Sequence, residues 1–151
     1  MNRAKLMEVN YAVDAYQKLK ETFVHFASIC EQELSKDNEF KVEYISFNEL
    51  IISIRIFDNI VELSLSMVVF ENDPALGLIV FNHVINENNR KHLMSIYFDE
   101  LGNTKNTIDG HSNMYNLTRN NCLAPILLQL LDSYINIYFR NSQNSSPKAQ
   151  M

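Results

Sequence analysis

The sequence predicts a two-layer α+β domain: a long N-terminal helix, an antiparallel meander of five or six strands and a C-terminal helix, with both helices on one sheet face. Three observations carry this. From Val9 to Leu34 the apolar residues recur at steps of three and four, the period of a helix buried along one stripe. From Phe40 to Asp99 the period falls to two, the period of strands with one face buried. From Cys122 to Phe139 the helical period returns. A chain of 151 residues with a hydrophobic fraction of 46% is long enough for one core. The domain is placed at residues 1–140, and 141–151, NSQNSSPKAQM, reads as a disordered tail.

The first helix is expected from about residue 4 to about residue 35, with Val9, Ala12, Tyr16, Leu19, Phe23, Phe26, Cys30 and Leu34 on its apolar side. At 1.5 Å per residue it would be roughly 45–50 Å long, more than a ten-residue strand of roughly 33 Å. It must therefore cross the sheet diagonally, bend, or overhang. An overhanging apolar end needs a cover, and a homodimer through this helix would supply one.

A polar turn, SKDNE, follows at 35–39, and Phe40, Val42 and Tyr44 begin the first strand. A three-residue loop, Ser46-Phe47-Asn48, would set Tyr44 opposite Leu50 and Val42 opposite Ile52. The next hairpin, Leu50 to Val69, is the clearest signal. Its alternation breaks only at Asp58-Asn59, two residues that tolerate positive φ. A turn there pairs Ile54 with Leu63 and Arg55 with Glu62. Leu76 to Ile85 is apolar on both sides, as expected of a central or partly covered strand. NENNRK at 86–91 reads as a polar connection before a strand from His92 to Asp99, and 104–108 as a short edge strand. In the last helix Asn121 is the candidate cap and Pro125 falls in the first turn, where no intrahelical N–H bond is lost. Its apolar residues cover more than half the circumference, which implies burial deeper than that of the first helix.

Net charge is −5, and it is uneven: residues 41–100 hold four Lys/Arg against nine Asp/Glu. This argues against a general nucleic-acid or anionic-membrane binder, and an acidic sheet would steer a basic partner. Two cysteines, Cys30 and Cys122, make no disulfide framework and read as buried thiols. The N-terminus lacks the apolar run of a signal peptide, and no stretch reaches 18 uncharged apolar residues, so a cytoplasmic protein without a membrane span is expected.

Chemistry is sparse. Three isolated glycines make neither a phosphate loop nor a dinucleotide fingerprint, and two cysteines cannot make a thiolate zinc site. His83, His92, Asp109 and His111 are the only candidates for a metal- or ligand-binding site, without diagnostic spacing. No catalytic residue and no cofactor is expected. The sheet's solvent face would carry Lys41, Glu43, Ser53, Arg55, Glu62, Ser64 and Ser66, with Phe57, Phe70, Phe81 and Tyr97 as aromatic candidates for the same face. Glu43, Ser53, Arg55, Glu62, Ser64 and Ser66 are taken as partner-binding. The reading is a non-enzymatic protein-binding module, a stoichiometric inhibitor whose acidic sheet blocks a basic or nucleic-acid-handling partner. Toxin-immunity proteins and phage-encoded blockers of host defence share this fold class, which makes the comparison one of architecture alone. The alternatives are a homodimeric secretion-chaperone-like or scaffold protein, and a small metal- or ligand-binding enzyme using the four residues named above.

Overall fold

A computed structural model describes residues 3–69, 74–108, 110, 113 and 115–140. The order of elements is α1 (Arg3–Leu34), β1 (Glu43–Asn48), β2 (Ile51–Ile56), β3 (Asn59–Val68), β4 (Leu76–Asn86), β5 (Asn89–Phe98), β6 (Thr104–Lys105) and α2 (Leu123–Ile135). A 3₁₀ turn, Asn120–Cys122, leads into α2, and a π turn, Asn136–Arg140, follows it. The six strands form one antiparallel sheet in sequence order. This is the expected α+β meander, with α1 over β1, β3 and β4 and α2 over β5.

Alternation puts Ile52, Ile54, Ile56, Val61, Leu63, Ile79, Phe81, Met94, Ile96 and Phe98 on one face, all buried. Leu19, Phe23, Phe26 and Cys30 of α1 and Ile126, Leu127 and Leu130 of α2 close over them. Phe81 therefore belongs to the core and not to the solvent face: it stands between Leu63 and Met94 in the ladder and is fully buried. α2 is buried along one stripe only and leaves Leu128 exposed, so it lies flat on the sheet rather than wedged beneath α1. No side chain caps its start, and Asn121 sits inside the 3₁₀ turn, where the Cys122 amide already bonds the Arg119 carbonyl.

The hairpin turns differ from expectation. Phe57-Asp58 turns β2 into β3, so Ile54 pairs with Val61 and Arg55 with Ile60. Glu49-Leu50 turns β1 into β2, so Phe47 pairs with Ile52, and a bulge between Tyr44 and Ser46 restores Tyr44 to Ile54. All four turn residues have positive φ, between 47° and 64°. That is the condition of the tight turn whose twist matches paired strands. The β4–β5 connection is also tight, because Asn86 pairs with Asn89 and the strands consume most of the polar segment. Arg90 holds this end by donating to the Asn86 and Glu87 carbonyls.

Left-handed backbone at a residue with a side chain costs about 1–2 kcal/mol. Asp58 has φ 64° and no hydrogen bond or ion pair through its carboxylate among the described residues. Asp58→Gly should therefore stabilise the protein by about 1 kcal/mol, seen as a higher urea midpoint at unchanged slope.

At the end of the sheet where α1 enters, the loop after β5 is held by asparagines and one aspartate. Asp99 accepts from the Leu101 and Asn103 amides at 3.0 and 2.9 Å, and Asn116 donates to the Leu101 carbonyl at 3.0 Å. These bonds bring Leu117 into the core, fully buried. Phe70, Asp109, His111 and the tail 141–151 lie outside the described residues.

Candidate functional site: the open sheet face

The outer face of the sheet is the surface that carries the predicted binding residues. Glu43, Ser53, Arg55, Glu62, Ser64 and Ser66 all project from it, because each alternates with a core residue of its strand. Across the strands they form rows. One runs Glu43–Arg55–Ile60, the next Ser46–Ser53–Glu62–Asn82–His92, and the next Asn48–Ile51–Ser64–Val80–Ser95. A fourth runs Ser66–Leu78–Tyr97–Lys105. Ile51, Ser53, Ser64, Leu78, Val80, Ser95 and Tyr97 are half-buried, by their neighbours within the sheet. Among the described residues no helix packs across this face, since α1 and α2 both cover the other one.

Its charges are paired, with partners that the shifted hairpin register decides. Arg55 meets Glu43 at 3.0 Å rather than Glu62, and Glu62 meets Arg90 at 3.0 Å. The Arg90 guanidinium is tied on its other side to two carbonyls of the β4–β5 turn, so it is fixed in place. Exposed pairs of this kind contribute about 0–1 kcal/mol to stability. Among the described residues of the hairpins, the acid without an ion pair lies in the turns, at Glu49, Asp58 and Glu87. The face is thus locally balanced and its ends are acidic.

Where the open face meets the β2–β3 turn, Phe40, Lys41, Glu43, Arg55, Phe57 and Asp58 line a shallow hollow of about 380 Å³. It is polar and charged at the walls, with Lys41 also held by Asp37 at 2.9 Å.

The histidines do not converge. His83 stands opposite Val61 and Lys91 on the helix side of the sheet, while His92 stands opposite Asn82 on the open side, 2.8 Å from the Ser95 hydroxyl. His83 pairs with Lys91, and His92, the next residue along β5, points to the opposite face. Among the described residues no three His, Cys, Asp or Glu side chains gather to hold a metal.

His83 instead joins a cluster on the helix side of the sheet, the side that alternation within β4, Ile79-Phe81-His83, assigns to it. Its Nδ1 lies 2.5 Å from the Tyr138 hydroxyl, and its ring packs against Tyr134 and Tyr138. Asn59 Nδ2 donates to the Tyr134 hydroxyl at 2.7 Å, and the Phe57 ring packs against Tyr134 at a tilt of 48°. The bond suits a neutral imidazole accepting from tyrosine. Burial without a compensating charge pushes the His83 pKa below its ordinary 6.5. The unfolded chain then binds its proton first. Stability from this group is full above about pH 6.5 and falls as pH drops toward the folded value. Denaturation measured between about pH 5 and 8 should show this slope, and His83→Gln should flatten it.

Nucleophilic chemistry at the cysteines is suppressed. Burial pushes the Cys122 thiol up to about 12 and raises Cys30 further, so neither forms thiolate at neutral pH. Asn120–Arg140 is long and apolar enough to cross a membrane by length and composition alone, a test that core helices also pass. Here its Leu123, Ile126, Leu127 and Leu130 are buried against the sheet. No family model matches this sequence, and neither a curated protein nor a solved structure matches it.

Proposed function

We propose that this chain is a non-enzymatic protein-binding module, a stoichiometric blocker that docks a basic partner on its open sheet face. The observation that supports this is the composition of that face. Beside the paired Glu62, its second to fourth rows mix half-buried Ile51, Leu78, Val80 and Tyr97 with Ser53, Ser64 and Ser95, on a sheet backed by the whole core. A centre poor in free charge, surrounded by charged turns, is the anatomy of a protein interface. The acidic turns and the net charge of −5 favour a basic partner and speed its approach. Paired Glu43–Arg55 and Glu62–Arg90 would specify orientation more than strength.

The test uses the purified chain as bait beside a Ser64→Arg/Val80→Arg variant. Both sites lie on the open face but are half-buried and opposite each other in the ladder, so the two arginines should cost about 1 kcal/mol of folding stability, and circular dichroism matching the wild type checks that the variant is folded. The expected result is a basic protein retained by the wild type, reconstituting with it in a one-to-one complex that weakens as salt rises. The variant should lose about 2 kcal/mol or more of that affinity, the scale of an interface hot spot. A partner that binds both baits equally, or binding indifferent to salt, would refute the proposal.

A further inference from the structure

We infer that two copies of this chain pair, antiparallel, through the first turns of α1, with Val9 of one copy against Val13 of the other. α1 begins at Arg3, yet its first buried residue is Ala15. None of the twelve residues before it is fully buried, and the segment is tethered where the Tyr11 hydroxyl accepts from the Ala75 amide at 3.2 Å. Along this segment Leu6 is 51% exposed, Met7 66%, Val9 47%, Tyr11 47% and Val13 54%.

Leu6, Val9, Val13 and Tyr16 step by three, four and three, so they form one stripe. This stripe lies beside the Ala15–Leu19–Phe23 line that faces the core; its Leu6, Val9 and Val13 are exposed and Tyr16, at its inner end, is half-buried. Setting Val9 on Val13 also sets Leu6 on Tyr16, in both directions, as a two-fold axis requires. The overlap is about 15 Å long. Each sheet then sits at the far end of the pair, clear of its copy.

Charge favours a second copy as the occupant. In this register Arg3 of one chain stands level with Leu19 of the other, within a turn of Glu21 on the same flank of the stripe. Among the described residues neither Arg3 nor Glu21 has a charged partner. The two-fold axis therefore makes two reciprocal Arg3–Glu21 contacts. The first turn of α1 carries no acid to repel them.

Light scattering and sedimentation over a dilution series should give a dimer that dissociates on dilution. Val9→Asp with Val13→Asp should give a monomer of unchanged circular dichroism, because both sites are exposed in the single chain. Arg3→Glu should weaken the dimer, and adding Glu21→Arg should restore it. A Val9→Cys chain mixed with a Val13→Cys chain should cross-link to each other in preference to themselves, undisturbed by the buried Cys30 and Cys122. A monomer at every concentration, a dimer untouched by the aspartates, or preferential Val9→Cys self-linkage would each overturn the inference.

Discussion

Phe23→Ala should be the most costly single truncation in α1, lowering the unfolding free energy by about 4 kcal/mol. Phe23 is fully buried at the centre of the helix–sheet contact. Its ring meets Phe47 of β1 edge-on at 6.0 Å and Phe26 at 6.4 Å. The substitution thus removes apolar transfer energy, leaves a cavity between rigid elements, and breaks two aromatic contacts worth about 0.5–1.5 kcal/mol each beyond their area. Domains typically unfold at a cost of about 5–15 kcal/mol, so this is a large share. For a chain of this length the melting temperature should fall by roughly 8–16 °C. Val24→Ala, one position along and 43% exposed, should change stability by about 0.5 kcal/mol or less. Equal losses at the two sites would mean that α1 does not face the sheet as described.

That contrast was readable from the chain, because it rests on periodicity. Faces are robust in the same way. The hairpin turn sits one residue earlier than Asp58-Asn59, and the pairing shifts by two. Every side chain stays on its face, since strand sidedness has period two. What changed was pairing across the sheet, which moved Arg55 from Glu62 to Glu43. Local preference favoured Asp-Asn for the turn. Tertiary contacts favoured Phe57-Asp58, because this frees Asn59 to bond Tyr134 and lays the Phe57 ring on that tyrosine. Such contacts join residues 75 apart in the chain, and no window along one strand contains them. The same limit hid the His83 cluster. His83, Tyr134 and Tyr138 each follow a legible period, but only the packing of α2 over the sheet brings them together. Charge density along the chain located the acid without its geometry. The strand carboxylates found arginines, and those in the hairpin turns did not.

Gly77 poses the sharpest steric test. In most strands replacing glycine by alanine stabilises, by roughly 0.5–1 kcal/mol, because alanine restricts the unfolded chain. Gly77 has no positive φ to forbid a side chain. Its partner in the ladder, however, is Phe98, whose ring folds back over it. A Cβ at Gly77 would approach Phe98 Cζ, Cε1 and Cε2, all inside the 3.0 Å limit of real Cβ contacts. Phe98 is fully buried, so the ring has nowhere to go without displacing its neighbours. Gly77→Ala should therefore destabilise by about 2 kcal/mol, and Gly77→Val by about 3 kcal/mol or more. Phe98→Leu alone should also destabilise, by about 1–2 kcal/mol, through lost volume. Combined with Gly77→Ala it should cost less than the sum, by about 1–2 kcal/mol, because the smaller side chain yields the space that the new methyl needs. Denaturant unfolding of the four proteins closes this cycle. Additive losses would mean that the ring does not lie on the glycine, and a stabilising Gly77→Ala would mean that the strand has room there after all.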